Sequence, residues 1–243
     1  MTPKRRRIGF DRFIKLNWLE EAARLVEQGL TAPEINAWLE NSLESQIQGK
    51  DSRRKTRNVI IGVWVNLSEE LVPFRNDGLK LLNKLKGHER LCVHWGLCSA
   101  AYPFFAFTVR QIGRLNKLQT EITSGQVRRR VVERYGDTPS IHRAVARLIQ
   151  TLCAWNVLTA KSKGIYVAPR PFVLKDADLL SWVAEAALYA QSSDSLSFGQ
   201  IINDPCQFPY ASDIKTEYLQ TNPRLELFRQ GLDEDVVVLA TRK

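Results

Sequence analysis

Apolar positions recur every three or four residues along most of this chain, the spacing of helices that bury one face. From Asn17, the run Trp18, Leu19, Ala22, Leu25 and Val26 predicts a helix that stops at Gly29. Thr31 with Glu34 is a capping box opening a second helix, with Ile35, Trp38, Leu39 and Leu43 on its apolar face, and the two read as an antiparallel pair. After Gly49 the cluster Arg53-Arg54-Lys55-Thr56-Arg57 runs into Val59, Ile60, Ile61, Val63, Trp64 and Val65. That β-branched run suits a strand by composition, but its continuation from a basic amphipathic start predicts a buried helix. The cluster reads either as a second phosphate contact or as a solvated first turn, and its charges oppose the helix dipole. Ser68 caps a short helix that Pro73 interrupts or restarts, Leu79 to Leu85 extend the spacing, and Gly87 ends it. A long apolar helix follows, broken or kinked near Pro103, and continues through Phe104 to Leu118 with Arg110, Arg114 and Lys117 exposed.

From Ile122 to Pro169 the pattern changes twice. Thr123 with Gln126 is another capping box, so a helix starts at Ser124 and buries Val127, Val131, Val132 and Tyr135. Gly136-Asp137 makes a turn, Thr138 is an N-cap and Pro139 occupies the first helical position. The next helix buries Ile141, Val145, Leu148, Ile149 and Leu152. Alternation then replaces helical spacing: Val157 to Ala160 and Ile165 to Ala168 flank Lys161-Ser162-Lys163-Gly164, a hairpin. Helix, turn, helix and hairpin is the order of a winged helix-turn-helix.

A weaker version of that order follows. A helix is predicted over about Asp176 to Ala190, a short one from Ser197 to Ile201, another from about Ala211 to Gln220, then strands Leu225 to Arg229 and Val236 to Leu239. The expected fold class is mainly α: a helical domain over residues 1–106 with a basic tail, Lys4-Arg5-Arg6-Arg7, a winged helix-turn-helix over 107–170, and a second, acidic winged-helix-like domain over 171–243.

Charge sharpens this division. The 243 residues carry a formal net charge of +9, and 107–170 alone hold twelve Lys and Arg against Glu121, Glu133 and Asp137. Residues 1–106 add +5 and 171–243 cancel it with −5, so the whole net charge equals that of one segment. A polyanion is the implied partner. The second hairpin has Asp233, Glu234 and Asp235 at its tip where the first has two lysines, so phosphate would repel it; a structural or protein-docking role is expected there.

Other chemistry is sparse. Nineteen uncharged residues lie between Arg90 and Arg110, close to the about 20 needed to span a membrane, but His94, Ser99, Tyr102 and Pro103 dilute them, and no insertion is expected. Four cysteines without a CxxC pair read as reduced thiols in a cytoplasmic protein. His88, Cys92, His94 and Cys98 come nearest to a metal set, but the step of about 200° from Cys92 to His94 sends the two pairs to opposite sides of a helix. No phosphate loop, nucleophile elbow or metalloprotease motif occurs, so neither a catalytic residue, a metal nor a cofactor is expected. The candidate DNA-binding residues are Arg128, Arg129, Arg130 and Arg134 on the first helix of the turn, Ser140, His142, Arg143 and Arg147 on the second, and Lys161 and Lys163 on the hairpin.

The basic helical N-terminal region, the segment VRRRVVERYGDTPSIHRAVARLIQTLCAWNVL and the small C-terminal portion resemble the BrxA family of bacterial BREX phage-defence systems. That resemblance implies a small helical protein with winged-helix elements that binds double-stranded DNA. The expectation is a non-enzymatic double-stranded DNA-binding protein whose acidic C-terminal domain meets other defence-system proteins. The alternatives are a protein-docking subunit of a larger assembly and an RNA-binding factor.

Overall fold

The apolar stripes fold into helices nearly where their spacing places them. The computed structural model describes residues 8–230 and 234–240; the basic tail Lys4–Arg7 and the tip residues Gly231, Leu232 and Asp233 lie outside them. Six helices come first: α1 Leu16–Glu27, α2 Ala32–Glu44, α3 Lys50–Trp64, α4 Leu71–Lys84, α5 His88–Ala101 and α6 Pro103–Leu118. The segment after Gly49 is helical, and its basic start is neutralised from within. Arg53 is 9% exposed, with Nε donating to Glu40 at 3.0 Å and Nη1 to the carbonyls of Ile47 and Gln48 at 3.0 Å. Arg57 pairs with Glu40 at 2.6 Å, and Arg54 and Lys55 each pair with Asp51 at 2.6 Å. Arg53 and Arg57 thus bind α3 to α2, while Arg54 stays exposed at the start of α3. Pro73 sits in the first turn of α4, where it interrupts nothing.

The uncharged segment is divided at Tyr102, where α5 and α6 bend by 119°, and among the described residues no single helix is long and apolar enough to cross a membrane. Tyr102 leaves helical geometry ahead of Pro103, and its hydroxyl donates to the Val59 carbonyl at 3.0 Å.

Strand β1 (Glu121–Thr123) precedes α7 (Ser124–Tyr135), α8 (Pro139–Ala154), β2 (Thr159–Ser162) and β3 (Ile165–Val167), and the antiparallel sheet runs β1-β3-β2. The remainder holds β4 (Phe172–Leu174), α9 (Ala177–Gln191), β5 (Ser195–Ser197), α10 (Phe198–Ile202), a 3-10 turn (Pro205–Gln207), β6 (Tyr210–Ser212), α11 (Thr216–Gln220), β7 (Leu225–Gln230) and β8 (Glu234–Leu239). Its antiparallel sheet runs β5-β8-β7, so in both sheets the last strand lies in the middle. The opening strands match in detail: Ile122 and Leu196 are buried, and Thr123 and Ser197 cap the following helices through Gln126 and Gln200. The helix expected over Ala211 to Gln220 is corrected: its first part is β6, which pairs in parallel with β4, and only Thr216–Gln220 is helical. The partner strand lies almost forty residues earlier, so local spacing carried no sign of it.

One cluster of buried and partly buried side chains draws on all these elements except the exposed β2. Helix α9 lies against α5 through Trp182, which stacks on Phe74 at 4.1 Å and donates to the Phe74 carbonyl at 3.0 Å. A side chain at Gly96 would overlap the Trp182 ring. Helix α6 meets the 3-10 turn equally closely, since a Cβ on Gly113 would overlap the Pro205 carbonyl. Beside it Arg110 grips Asp204 through Nε at 2.9 Å and Nη2 at 3.0 Å, with 13% and 1% of the two side chains exposed. Arg110 was expected at the surface; the carboxylate of a distant turn draws it inward.

Against α5, Glu20 accepts Arg90 Nε at 2.9 Å and lies 3.2 Å from Nε2 of the fully buried His94. Burial pushes the Glu20 carboxyl up, but contact with His94 and Arg90 outweighs it and brings the pKa to about 2. Burial pulls His94 below its usual value against the opposing pull of Glu20.

Two measurements check these contacts. Both folded-state pKa values are depressed, so the stability they confer is present above the unfolded values of 6.5 and 4.5 and is lost as pH falls. The urea midpoint should decline below about pH 6.5 and again below about 4.5, with the second decline reduced in Glu20→Gln. Gly113→Ala should lower unfolding stability by about 2 kcal/mol, because overpacking against the turn exceeds the gain of about 1 kcal/mol in helix propensity.

Candidate nucleic-acid interface

Helix α7 begins from a closed capping box. Thr123 Oγ1 accepts the Gln126 N–H at 3.1 Å, and Gln126 Oε1 accepts the Thr123 N–H at 2.8 Å. Val127 and Val131 face the core, which leaves Arg128 and Arg129 exposed and Arg130 half-buried. Consecutive helical residues are about 100° apart, so these three arginines spread over about 200° and cannot all face one flat ligand. Arg134 turns back, its guanidinium 4.6 Å from the centre of the Phe107 ring on α6.

The turn into α8 needs Gly136, whose φ of +89° lies where L side chains are strained. Thr138 caps α8 by accepting the Ile141 N–H at 3.4 Å, and its hydroxyl lies 2.9 Å from that of Ser140. Ile141, Ala144, Val145, Leu148, Ile149, Thr151 and Leu152 are buried. The C-terminal end of α8 is fixed to the chain's beginning: Thr151 Oγ1 accepts the Ile14 N–H at 3.0 Å, and Trp155 Nε1 donates to the Ile14 carbonyl at 2.9 Å. Opposite the buried stripe, Ser140, Arg143, Ala146, Arg147 and Gln150 are exposed. Ser140, Arg143, Arg147 and Gln150 follow at intervals of three, four and three, so they form one line along the helix. Arg147 donates to Gln150 at 3.0 Å, and Arg143 has no hydrogen-bond or ion-pair partner among the described residues. Gln150, which the same spacing places on this face, is exposed on that line.

His142 stands off this line and is turned to Asp137, with Nε2 2.6 Å from the carboxylate. At the hairpin, Gly164 has a φ of +78°, and its carbonyl accepts the Ser124 N–H at 3.0 Å, fastening the tip to the start of α7. Lys161 is paired with Glu121 on β1. Lys163 is exposed, without a partner among the described residues.

The ten candidate residues thus differ in availability. Arg128, Arg129, Arg143 and Lys163 are exposed and unpaired among the described residues, whereas Arg134, His142 and Lys161 each have an intramolecular partner. Unpaired cations on a rigid surface hold counterions whose release favours binding of a polyanion. The corresponding parts of the second unit carry carboxylates instead: Glu217 on α11, Glu226 on β7 and Glu234 on β8 are exposed. No group of three or more His, Cys, Asp or Glu among the described residues could hold a metal ion. His88 stacks on Phe172 at 5.4 Å, and His94 contacts Trp64 at 5.3 Å. No family model, curated protein or solved structure matches the chain.

The cap at Thr123 joins β1 to α7, so Thr123→Ala should lower stability by about 1 kcal/mol in urea unfolding, while Thr123→Ser should leave most of it intact.

Proposed function

We propose that residues 107–170 are a winged helix-turn-helix that binds double-stranded DNA and that the chain performs no reaction of its own. In this reading α8 enters the major groove and the β2–β3 hairpin lies on the neighbouring backbone. The observation that carries it is the line Ser140, Arg143, Arg147 and Gln150 on the outer face of α8, with Lys163 unpaired at the hairpin. Arginine and glutamine can read base edges bidentately, and lysine neutralises phosphate. The order of elements supports the reading too: α6, β1, α7, α8 and a hairpin whose last strand is central. The +9 of this segment supplies the attraction. An exposed helix favours duplex DNA over duplex RNA, whose deep and narrow major groove does not admit one. The acidic second unit is read as a protein-docking module, and the setting implied by the BrxA resemblance, bacterial phage defence, belongs to the same proposal.

A gel-shift series over salt concentration tests it. Wild type should bind a short duplex with an affinity that falls steeply with salt. Arg143→Glu, Arg147→Glu and Lys163→Glu together should reduce affinity at least about a hundredfold and lower the log–log salt slope by about 3. Unchanged affinity and slope in a triple variant with a native circular dichroism spectrum would overturn the placement. Structured RNA competing as well as duplex DNA would overturn the choice of ligand.

A further inference from the structure

The sheet β5-β8-β7 has two unlike faces. Leu196, Val237 and Leu225 turn inward and are buried. The pairings Phe228↔Val236, Glu226↔Val238, Gln230↔Glu234 and Ser197↔Val236 put the other set on the outer face. There Phe228 is 52% exposed beside half-buried Val236 and Val238, and the carboxylates of Glu226 and Glu234 stand on the same side. Phe228 has no ring or cation partner among the described residues.

An exposed ring between carboxylates suits an arginine-bearing surface: guanidinium groups stack on the ring and pair with the acids, and their aliphatic stems cover the valines. The chain itself has such a surface on α8, where Arg143 and Arg147 flank the small exposed Ala146 and have no carboxylate partner among the described residues. The charges of the two segments also match, +9 over 107–170 against −5 over 171–243. We propose that the outer face of β5-β8-β7 docks on α8 of a second copy of this chain. The two surfaces differ, so the contact is heterologous, and each added copy presents one free surface of each kind. The same arginines would serve a second copy and DNA in turn. The inference requires only that the α8 face is open, whatever else binds there.

Sedimentation equilibrium without nucleic acid tests it. At low salt the mean mass of wild type should exceed one chain and rise with concentration, and high salt should return it to one chain. A variant carrying Glu226→Lys, Phe228→Ala and Glu234→Lys should be monomeric, as should one carrying Arg143→Glu and Arg147→Glu. Mixed in equal amounts, they should form a complex of two chains and stop there, because the first keeps a working α8 and the second a working sheet face. Phe228→Ala alone, which removes only exposed atoms, should weaken association about fivefold. Wild type monomeric at low salt, a surface variant associating like wild type, or a mixture that stays monomeric would each overturn the proposal. A DNA-binding failure with intact self-association, or the reverse, separates this inference from the function proposed above.

Discussion

A buried carboxylate decides where the second strand-helix unit can sit. Asp204 is almost wholly removed from water and accepts both arms of the Arg110 fork as well as the Cys206 N–H at 2.9 Å. An ionised group in such a place costs several kcal/mol unless a well-oriented counter-charge meets it, and losing one partner of such a pair costs about 3–5 kcal/mol. The fork reaches Asp204 because α6 carries Gly113 where the backbone of the 3-10 turn comes closest. A larger residue there would hold helix and turn apart and leave the charge stranded. Trp182 fixes the other side, filling the space that Gly96 leaves on α5. These two contacts hold α9 and the 3-10 turn against α5 and α6, and Arg224, which pairs with buried Glu185 on α9 and with Asp77 on α4, adds a third tie.

Elements whose reason lies within a few residues could be read from the chain. The apolar stripes and capping boxes of α2 and α7 located those helices, and the continuous run from Arg53 to Val65 made α3 recognisable despite its β-branched residues. Elements whose reason is distant were illegible. The short strands β1, β4, β5 and β6 lack the adjacent hairpin turn that revealed β3 and pair with a backbone remote in the chain. Arg53, Arg57 and Arg110 read as surface charge because Glu40, Glu44 and Asp204 come beside them only through folding.

The candidate site divides along the same line. The spacing of residues on α8 was enough to place Arg143, Arg147 and Gln150 on one face. That Lys161 is held by Glu121 and His142 by Asp137 follows from strand register and turn geometry, which the residue types alone do not reveal. The two units therefore share a strand order and opening cap while their outer surfaces have opposite charge, a contrast carried by side chains that contribute little to the core.

The continuous course of α6 from Pro103 to Leu118 has a consequence for the entropy of docking. The helix is built into the N-terminal core by Phe104 and Phe105, and its far end leads into β1 after two residues, so no flexible linker separates the basic surface from the body of the molecule. A partner meets a backbone already in place, and ordering on contact falls mainly on a few long cationic side chains, at about 0.5–1.5 kcal/mol for each one immobilised. A ligand of the kind proposed would have to match the curvature of this surface, which among the described residues joins the body of the molecule through helix α6 and two residues.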